Sequence, residues 1–396
     1  MNAIVSDGLG GVRIATVPAP KIERPTDAIV RMTACAVSGP DVRMSRCRNA
    51  GLPAGSVIGH EGVGVVEAVG RGVRSVKPGD RVVVVSNSGS PDGPRSASAH
   101  FACEPGTRPT GRESGTLLFR DIFPLVSREP GDGRVGLQAE YARIPNAAAS
   151  LVLLPDDVTD DQGVLLSSVF PTGYFAAEAA EIASGDAVAV FGCGPVGLFA
   201  ILSAKLLGAN QVFAVDAVPD RLDLAAALGA ESINFDNEDP VERLGKATNG
   251  VGVKRAIDTG DHPIESLRWA ASALTCGGTL SVLPTPMDGI RRFPIGIARA
   301  KGLTVHAGYC PPRRYVPLLI DLVRSGAADP TQVLPVGSAV ELADAYRAFA
   351  DSLIEWVRVE PRPVDRRHAQ PRQPRHGGRW TQLARFFRHA IGVPSA

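Results

Sequence analysis

Gly192-Cys193-Gly194-Pro195-Val196-Gly197 sets three glycines at the spacing GxGxxG. The first glycine of such a run permits a tight turn, the second lets backbone approach a pyrophosphate, and the third lets a helix pack closely on a sheet. The spacing alone is common. Its context here is specific: the short apolar run Ala187–Phe191 leads into it and an apolar helical pattern follows from Pro195. A helix start offers free N–H groups and a favourable dipole to phosphates. Asp216 ends the next apolar run, Val212–Val215. A carboxylate there accepts hydrogen bonds from ribose hydroxyls and repels a 2′-phosphate, so the expected cofactor is NAD(H) rather than NADP(H). Arg221 lies close by and weighs a little the other way; its simpler reading is a helix-surface charge. The expected cofactor residues of this half are Gly192, Gly194, Pro195, Val196, Gly197, Asp216 and Arg221.

The elements that must position this motif alternate strand and helix. The pattern predicts strands at Ala187–Phe191, Val212–Val215, Val253–Ile257, Thr279–Leu283 and Leu303–Ala307. It predicts a helix from Pro195 to Leu207 stopped by Gly208, and another from Pro219 stopped by Gly229. Strands alternating with helices imply a parallel sheet covered on both faces. A helix around Pro317–Arg324 and a last strand at Trp356–Val359 return to the first part of the chain. That first part, up to about residue 155, has short β-type runs at Ala28–Thr33, Gly62–Val69 and Asp80–Val85, with turn signals such as Lys77-Pro78-Gly79-Asp80 between them. Residues 86–136 are dense in Gly, Pro, Ser and Arg and read as a long loop excursion. The chain has no internal repeat.

The 396 residues suffice for two domains, and 44% hydrophobic with 21% charged residues is the balance of a soluble globular protein. The N-terminus has no basic region followed by a long apolar run, and no stretch has the apolar length of a membrane span, so a cytoplasmic protein is expected. Cys35, Cys47, Cys103, Cys193, Cys276 and Cys310 are scattered without a CxxC pair and read as reduced thiols. From Arg362 onward eight arginines face one acid, Asp365, so the whole-chain charge of +1 divides into about +7 there and −6 elsewhere. An acidic body argues against nucleic acid as partner. The basic extension has a disorder-prone composition, and its segment from Trp380 to Arg388 has the pattern of one short amphipathic helix.

Several phrases together resemble the medium-chain dehydrogenase/reductases of the zinc-type alcohol dehydrogenase superfamily. They are Gly11-Val12-Arg13-Ile14 with Val17-Pro18, Gly59-His60-Glu61 followed by Gly64 and Gly70, and Lys77-Pro78-Gly79-Asp80-Arg81-Val82. Gln138-Ala139-Glu140-Tyr141 and Phe170-Pro171-Thr172-Gly173-Tyr174 are similar to the formaldehyde dehydrogenase branch. The resemblance covers nearly all of residues 1–361. It implies an α/β fold: a GroES-like β domain plus a Rossmann domain with a doubly wound parallel sheet. The implied units are a substrate domain at 1–160, an NAD-binding domain at 161–305, a return to the first domain at 306–361, and the basic extension at 362–396. It also implies a homo-oligomer acting on a small molecule, with Thr172 and the Ser38–Gly39 turn near the nicotinamide end.

The same resemblance exposes a departure. The family's catalytic zinc takes a Cys, the His of the Gly-His-Glu phrase, and a Cys or Asp. Ser38 stands where the first ligand belongs and Ser168 where the third belongs, so His60 alone is kept. Neutral hydroxyls are poor zinc ligands beside thiolate, imidazole and carboxylate. Glu61 could swing inward but would not rebuild the site alone. The family's proton-relay hydroxyl aligns with Pro40 and its relay histidine with Arg43. Of the four structural-zinc cysteines, three align with Gly89, Asp92 and Arg95, and only Cys103 is left. Cys35 lies near Ser38 but falls in a strand pattern and reads as core. The expectation is therefore no bound zinc, with Ser38, His60, Glu61 and Ser168 as candidate catalytic groups. As bystanders, His60 and the two serines would only fill space left by a lost site.

A metal that polarises a carbonyl or an alcohol contributes several kcal/mol in the transition state, so its loss restricts the chemistry. Three readings follow. The first is a zinc-independent NAD(H) oxidoreductase acting on an activated substrate (an enone, an iminium, or a reactive carbonyl or alcohol), oriented or protonated by Ser38, His60 and Ser168. The second is a cofactor-retaining enzyme with no net redox change. The third is a catalytically silent NAD-binding homologue.

Overall fold

The computed structural model describes residues 1–9, 11–46, 54–85, 136–259, 265–283, 293–334, 336–338 and 356–359. The loop at 86–135, the positions aligned with a structural zinc, Cys47 and the basic extension lie outside the described residues.

The first part of the chain builds a largely antiparallel sheet. Strands β1 (Asn2–Ser6) and β2 (Val12–Thr16) form a hairpin, tied to the main sheet region by bridges Ala3–Ala139 and Val5–Val57. Strand β3 (Ala28–Val37) is the centre of a seven-stranded sheet. It pairs antiparallel with β4 (Gly62–Val69), with β6 (Tyr141–Ile144) and with the late strand β15 (Trp356–Val359). Strand β4 continues to β5 (Arg81–Val84) and β7 (Leu151–Leu153), while β14 (Val336–Ser338) runs parallel to β15. The return of the chain end to the first sheet was expected and is observed. Strand β3 runs four residues past the expected Thr33, since Ala34, Cys35, Ala36 and Val37 are all buried. Both faces of β3 are covered there, so the period-2 signal fades into a continuous apolar run. Cys35 is core, as expected; its Sγ donates to the Leu137 carbonyl, and burial pushes the thiol up to about 12.

The second sheet has six parallel strands in the order β10 (Glu231–Asn234), β9 (Gln211–Asp216), β8 (Ala187–Phe191), β11 (Val253–Asp258), β12 (Leu274–Val282), β13 (Thr304–Ala307). From β8 the chain winds outward through β9 to β10, then crosses back to β11 on the other side of β8. This is the doubly wound arrangement, with its switch point between β8 and β11. The glycine motif therefore ends a central strand. Strand β12 begins five residues before the expected Thr279, because Gly277 and Gly278 interrupt its apolar pattern and a register irregularity absorbs them. Strand β10 had no expectation; only Ile233 of its four residues is fully buried.

Two helices join the sheets. Helix α1 (Gly39–Arg46) follows β3 directly. Helix α2 (Asp160–Leu166) opens on a reciprocal capping box between Thr159 and Gln162, a T-x-x-Q signal present in the sequence. Helix α3 (Val169–Ala179) packs on α4 (Pro195–Leu206), the helix that opens on the glycine motif. A Cβ at Gly173 would sit 2.6 Å from Phe199 Cβ, so only glycine permits this approach; beside it the Phe170 and Phe199 rings stack at 4.8 Å. One core cluster runs from Ala34, Val63 and Val83 of the first sheet through Leu165, Phe170 and Phe199 of the helices to Val190 of the second sheet. The predicted second helix after the motif is α5 (Pro219–Ala227), and the helix expected at Pro317 is α6 (Pro312–Arg324). It starts earlier because Pro312 occupies the first turn, while Pro317 is held inside the helix. An interior proline reads as a boundary in sequence. Among the described residues no helix is long and apolar enough to cross a membrane, and Cys35, Cys193, Cys276 and Cys310 are free thiols.

Candidate functional site

At the glycine motif the backbone does the shaping. Gly192 has φ 97°, a conformation L side chains rarely adopt. A Cβ at Gly197 would lie 1.8 Å from the Gly192 carbonyl oxygen, so the third glycine is required for the helix to meet the turn. Gly194 caps α4, Pro195 follows it, and the Leu198 N–H is already bonded to the Gly194 carbonyl. Proline has no N–H. The amides of Val196 and Gly197 are therefore the helix-start donors available to an anion. This is a cradle of the kind a dinucleotide pyrophosphate needs, and the residues present fit that group.

Asp216 ends β9 and is fully buried. One carboxylate oxygen accepts from the Cys193 N–H at 2.8 Å and from Arg221 at 3.4 Å; the other accepts from the Ala217 and Val218 N–H groups at 2.8 and 2.9 Å. The carboxylate thus organises the turn. Arg221 corrects its simpler sequence reading. It is not a helix-surface charge but a buried partner of Asp216, because the first turn of α5 folds back over the end of β9.

The other end of the site consists of side chains. Ser38, Asp41, His60 and Glu61 are all buried. Ser38 precedes α1, and Asp41 lies in its first turn. The Ser38 N–H and hydroxyl both donate to one Asp41 carboxylate oxygen, at 3.0 and 2.8 Å. The other Asp41 oxygen meets His60 Nδ1 at 3.0 Å. His60 Nε2 faces Glu61 Oε1 at 3.3 Å. The Ser168 hydroxyl interacts with the Glu61 carboxylate, favouring its charged form, while Glu61 Oε2 is buried without a partner at full hydrogen-bond geometry. Thr172 donates to the Ser168 carbonyl at 2.7 Å, holding the start of α3. Gly39 is the first residue of α1.

The structure therefore joins Ser38, His60, Glu61 and Ser168 into one chain of contacts, as the sequence grouping proposed. The link that sequence reasoning missed is Asp41. Its signal was present: Ser38-Gly39-Pro40-Asp41 is an S-x-x-D capping pattern. Burial disfavours the charged imidazole, but the Asp41 charge and hydrogen bond, followed by those of Glu61, outweigh it and hold His60 at about 10. Burial raises Glu61, with His60 and Ser168 pulling the other way.

Zinc requires three good protein donors at a catalytic site. At the positions the family resemblance gives to two ligands stand the hydroxyls of Ser38 and Ser168; the Ser38 hydroxyl donates to Asp41, and both His60 nitrogens face carboxylates. Neutral hydroxyls are weak donors to this ion beside thiolate, imidazole and carboxylate. Among the described residues no group of three His, Cys, Asp or Glu side chains is disposed to hold a metal.

Residues 24–156 match the alcohol dehydrogenase GroES-like domain, and residues 195–324 match the zinc-binding dehydrogenase family. A zinc-type alcohol dehydrogenase-like protein of Schizosaccharomyces pombe is 31% identical, over 91% of this chain and 90% of its own length. An alcohol dehydrogenase of Cupriavidus necator is 33% identical, over 92% of this chain and 99% of its own. Among solved structures, the alcohol dehydrogenase TADH from Thermus sp. ATN1 superposes with a TM-score of 0.75 at 28% identity, over 91% of this chain and 99% of that one. With the two sheets, the glycine cradle and the Gly-His-Glu phrase in their places, the chain belongs to the zinc-type alcohol dehydrogenase family of medium-chain oxidoreductases, which work with a nicotinamide cofactor.

Proposed function

We propose that this chain is an NAD(H)-dependent oxidoreductase that works without zinc on an activated small molecule: an enone, an iminium, or a reactive carbonyl or alcohol. The observation that carries the reading is the hydroxyl-for-thiolate exchange at Ser38 and Ser168 around a His60 ring already committed to two carboxylates. Without a Lewis acid, a simple alcohol is a poor hydride donor at neutral pH, so an activated substrate is favoured.

The nicotinamide supplies hydride exchange when bound. The chain's own groups supply the rest. The amides of Val196 and Gly197 would hold the pyrophosphate, and Asp216 the adenosine ribose, favouring NAD(H) over its 2′-phosphorylated form. In the substrate region Glu61 Oε2 can accept a hydrogen bond from a substrate O–H or N–H. The Ser168 hydroxyl, which also contacts Glu61, favours an oxygen-bearing group. The Gln138–Tyr141 phrase supports placement near the formaldehyde dehydrogenase branch. In the structure it serves packing: the Gln138 amide donates to the Ala36 carbonyl, and its side chain fills the space a Cβ at Gly59 would take. The same reading makes the protein a cytoplasmic homo-oligomer, with units at 1–160, 161–305 and 306–361 and a basic extension at 362–396.

Full-length protein prepared without chelator, then incubated with NADH and with NAD⁺ against enones, imines, carbonyls and alcohols, tests this at the nicotinamide absorbance. Turnover that neither chelator nor added zinc alters, with no stoichiometric zinc by elemental analysis, is expected. About one zinc per chain, lost with activity in His60→Ala, would restore ordinary metal chemistry. Tight NADH binding with no turnover on any panel member would favour a silent homologue. Asp216→Ala should weaken NADH binding by roughly 1.5–3 kcal/mol for each charged hydrogen bond lost. Unchanged affinity would refute the ribose assignment.

A further inference from the structure

We infer that Thr259 is a positioning residue for dinucleotide binding: its hydroxyl holds the carbonyl side of the peptide that shapes the glycine turn. The inference rests on the reading of Gly192–Gly197 as the cofactor cradle.

Thr259 follows the last residue of β11, directly across the switch point from the end of β8, where Asp258 pairs with Phe191. The Thr259 N–H extends the ladder by donating to the Phe191 carbonyl at 3.1 Å. Its hydroxyl adds a contact that a strand does not supply. Oγ1 lies 3.1 Å from the Phe191 carbonyl oxygen and 3.4 Å from that of Gly192, so one proton is shared between two successive carbonyls.

The Gly192 carbonyl is the decisive one. It belongs to the same peptide as the Cys193 N–H, and that N–H donates to Asp216 at 2.8 Å. The peptide is therefore held at both ends, by Thr259 from β11 and by Asp216 from β9. The same carbonyl oxygen is the atom packed against Gly197. Rotation of this peptide would lift its oxygen out of that contact and turn a negative dipole toward the anion site. The threonine methyl lies on the side of Gly197 where a Cβ would stand, 3.7 Å from that position. The hydroxyl thus fastens the first glycine of the motif, and through its carbonyl the packing against the third. Nothing in the GxGxxG pattern signals this, because Thr259 is remote in sequence and comes close only through the parallel pairing of β8 with β11.

The test uses full-length protein and NADH as probe, titrated by fluorescence, with thermal melting as control. Thr259→Val keeps the shape and N–H but removes the hydroxyl; it should weaken NADH binding about tenfold, the effect of one hydrogen bond of ordinary strength. Thr259→Ser keeps the hydroxyl and should bind within about twofold of the unaltered chain. Thr259→Ala should resemble the valine substitution, which guards against a packing artefact of one variant. Melting temperatures close to that of the parent in the Val and Ser variants would separate positioning of the turn from general support of the fold. Parent-like NADH affinity in Thr259→Val, or an equal loss in Thr259→Ser, would overturn the inference while leaving the cofactor reading standing. Failure of the unaltered chain to bind NADH would overturn both.

Discussion

The two ends of the site are made of different material. At the proposed cofactor end the shaping is mostly backbone: the turn at Gly192 and the amides of Val196 and Gly197, with the Asp216 carboxylate tied to a main-chain N–H. At the other end stands a chain of five side chains in contact, Ser38, Asp41, His60, Glu61 and Ser168. Backbone recognition tolerates few sequences, since a side chain at Gly197 would overlap a carbonyl. Side-chain recognition can change character one substitution at a time while the frame stands. In the proposed reading, the cofactor end keeps the family's form and the substrate end keeps the family's positions with a different set of donors.

If the ends differ from an ordinary zinc dehydrogenase only in donors, restoring donors should have the largest effect. Ser38→Cys with Ser168→Cys would supply two thiolates beside His60. About one zinc or cobalt per chain is then expected, and with cobalt the intense visible bands of thiolate coordination. Either single variant should hold far less metal. A double variant that stays metal-free would show that the Asp41–His60–Glu61 arrangement, and not only the missing sulfurs, excludes the ion.

The next effect in size concerns Asp41. It is fully buried and partners both Ser38 and His60. Removing one member of a buried ion pair leaves the other charge uncompensated and costs about 3–5 kcal/mol. Asp41→Ala should therefore lower the unfolding free energy by that order in denaturant titration, and Asp41→Asn by less, since an amide oxygen can still accept from Ser38. At the cofactor end, NADH affinity should change little in Asp41→Asn. A parallel loss there would mean that the two ends are not independent.

The same contrast explains what was legible in the sequence. Strands Gly62–Val69 and Ala187–Phe191 and the start of helix Pro195–Leu206 follow from apolar periodicity and local glycine and proline signals. The parallel sheet follows from their alternation. The Ser38–His60–Glu61–Ser168 grouping was reachable only through family resemblance, because its members come from β3, the segment before β4, and the start of α3. Asp41 went unseen because its role depends on a contact with His60, which periodicity does not encode. Arg221 misled for a related reason: helical spacing put it on α5, but the fold turned that position inward. Strands such as Glu231–Asn234, with one fully buried residue, carry too little pattern to stand out.

The last expected effect is electrostatic and spread over several pH units, and its sign follows from the partners of His60. Burial would lower the imidazole, but Asp41 and then Glu61 hold it at about 10, against an ordinary value of 6.5. A group raised on folding contributes stability that is fully present below its unfolded value and is lost as pH rises through its folded one. Stability attributable to His60 should thus be complete near pH 6 and decline between about 6.5 and 10, by at most about 1.4 kcal/mol per pH unit for a single proton. Histidine ring NMR gives the direct measurement. The resonance that disappears in His60→Gln should remain in its protonated form at about pH 8.5, where an ordinary exposed histidine is neutral. The denaturation midpoint of the unaltered chain should fall across the same interval. A His60 resonance titrating near its ordinary value would mean that burial of the ring offsets its two carboxylate partners. The substrate end would then present a neutral ring, unlike the charged one the geometry supports.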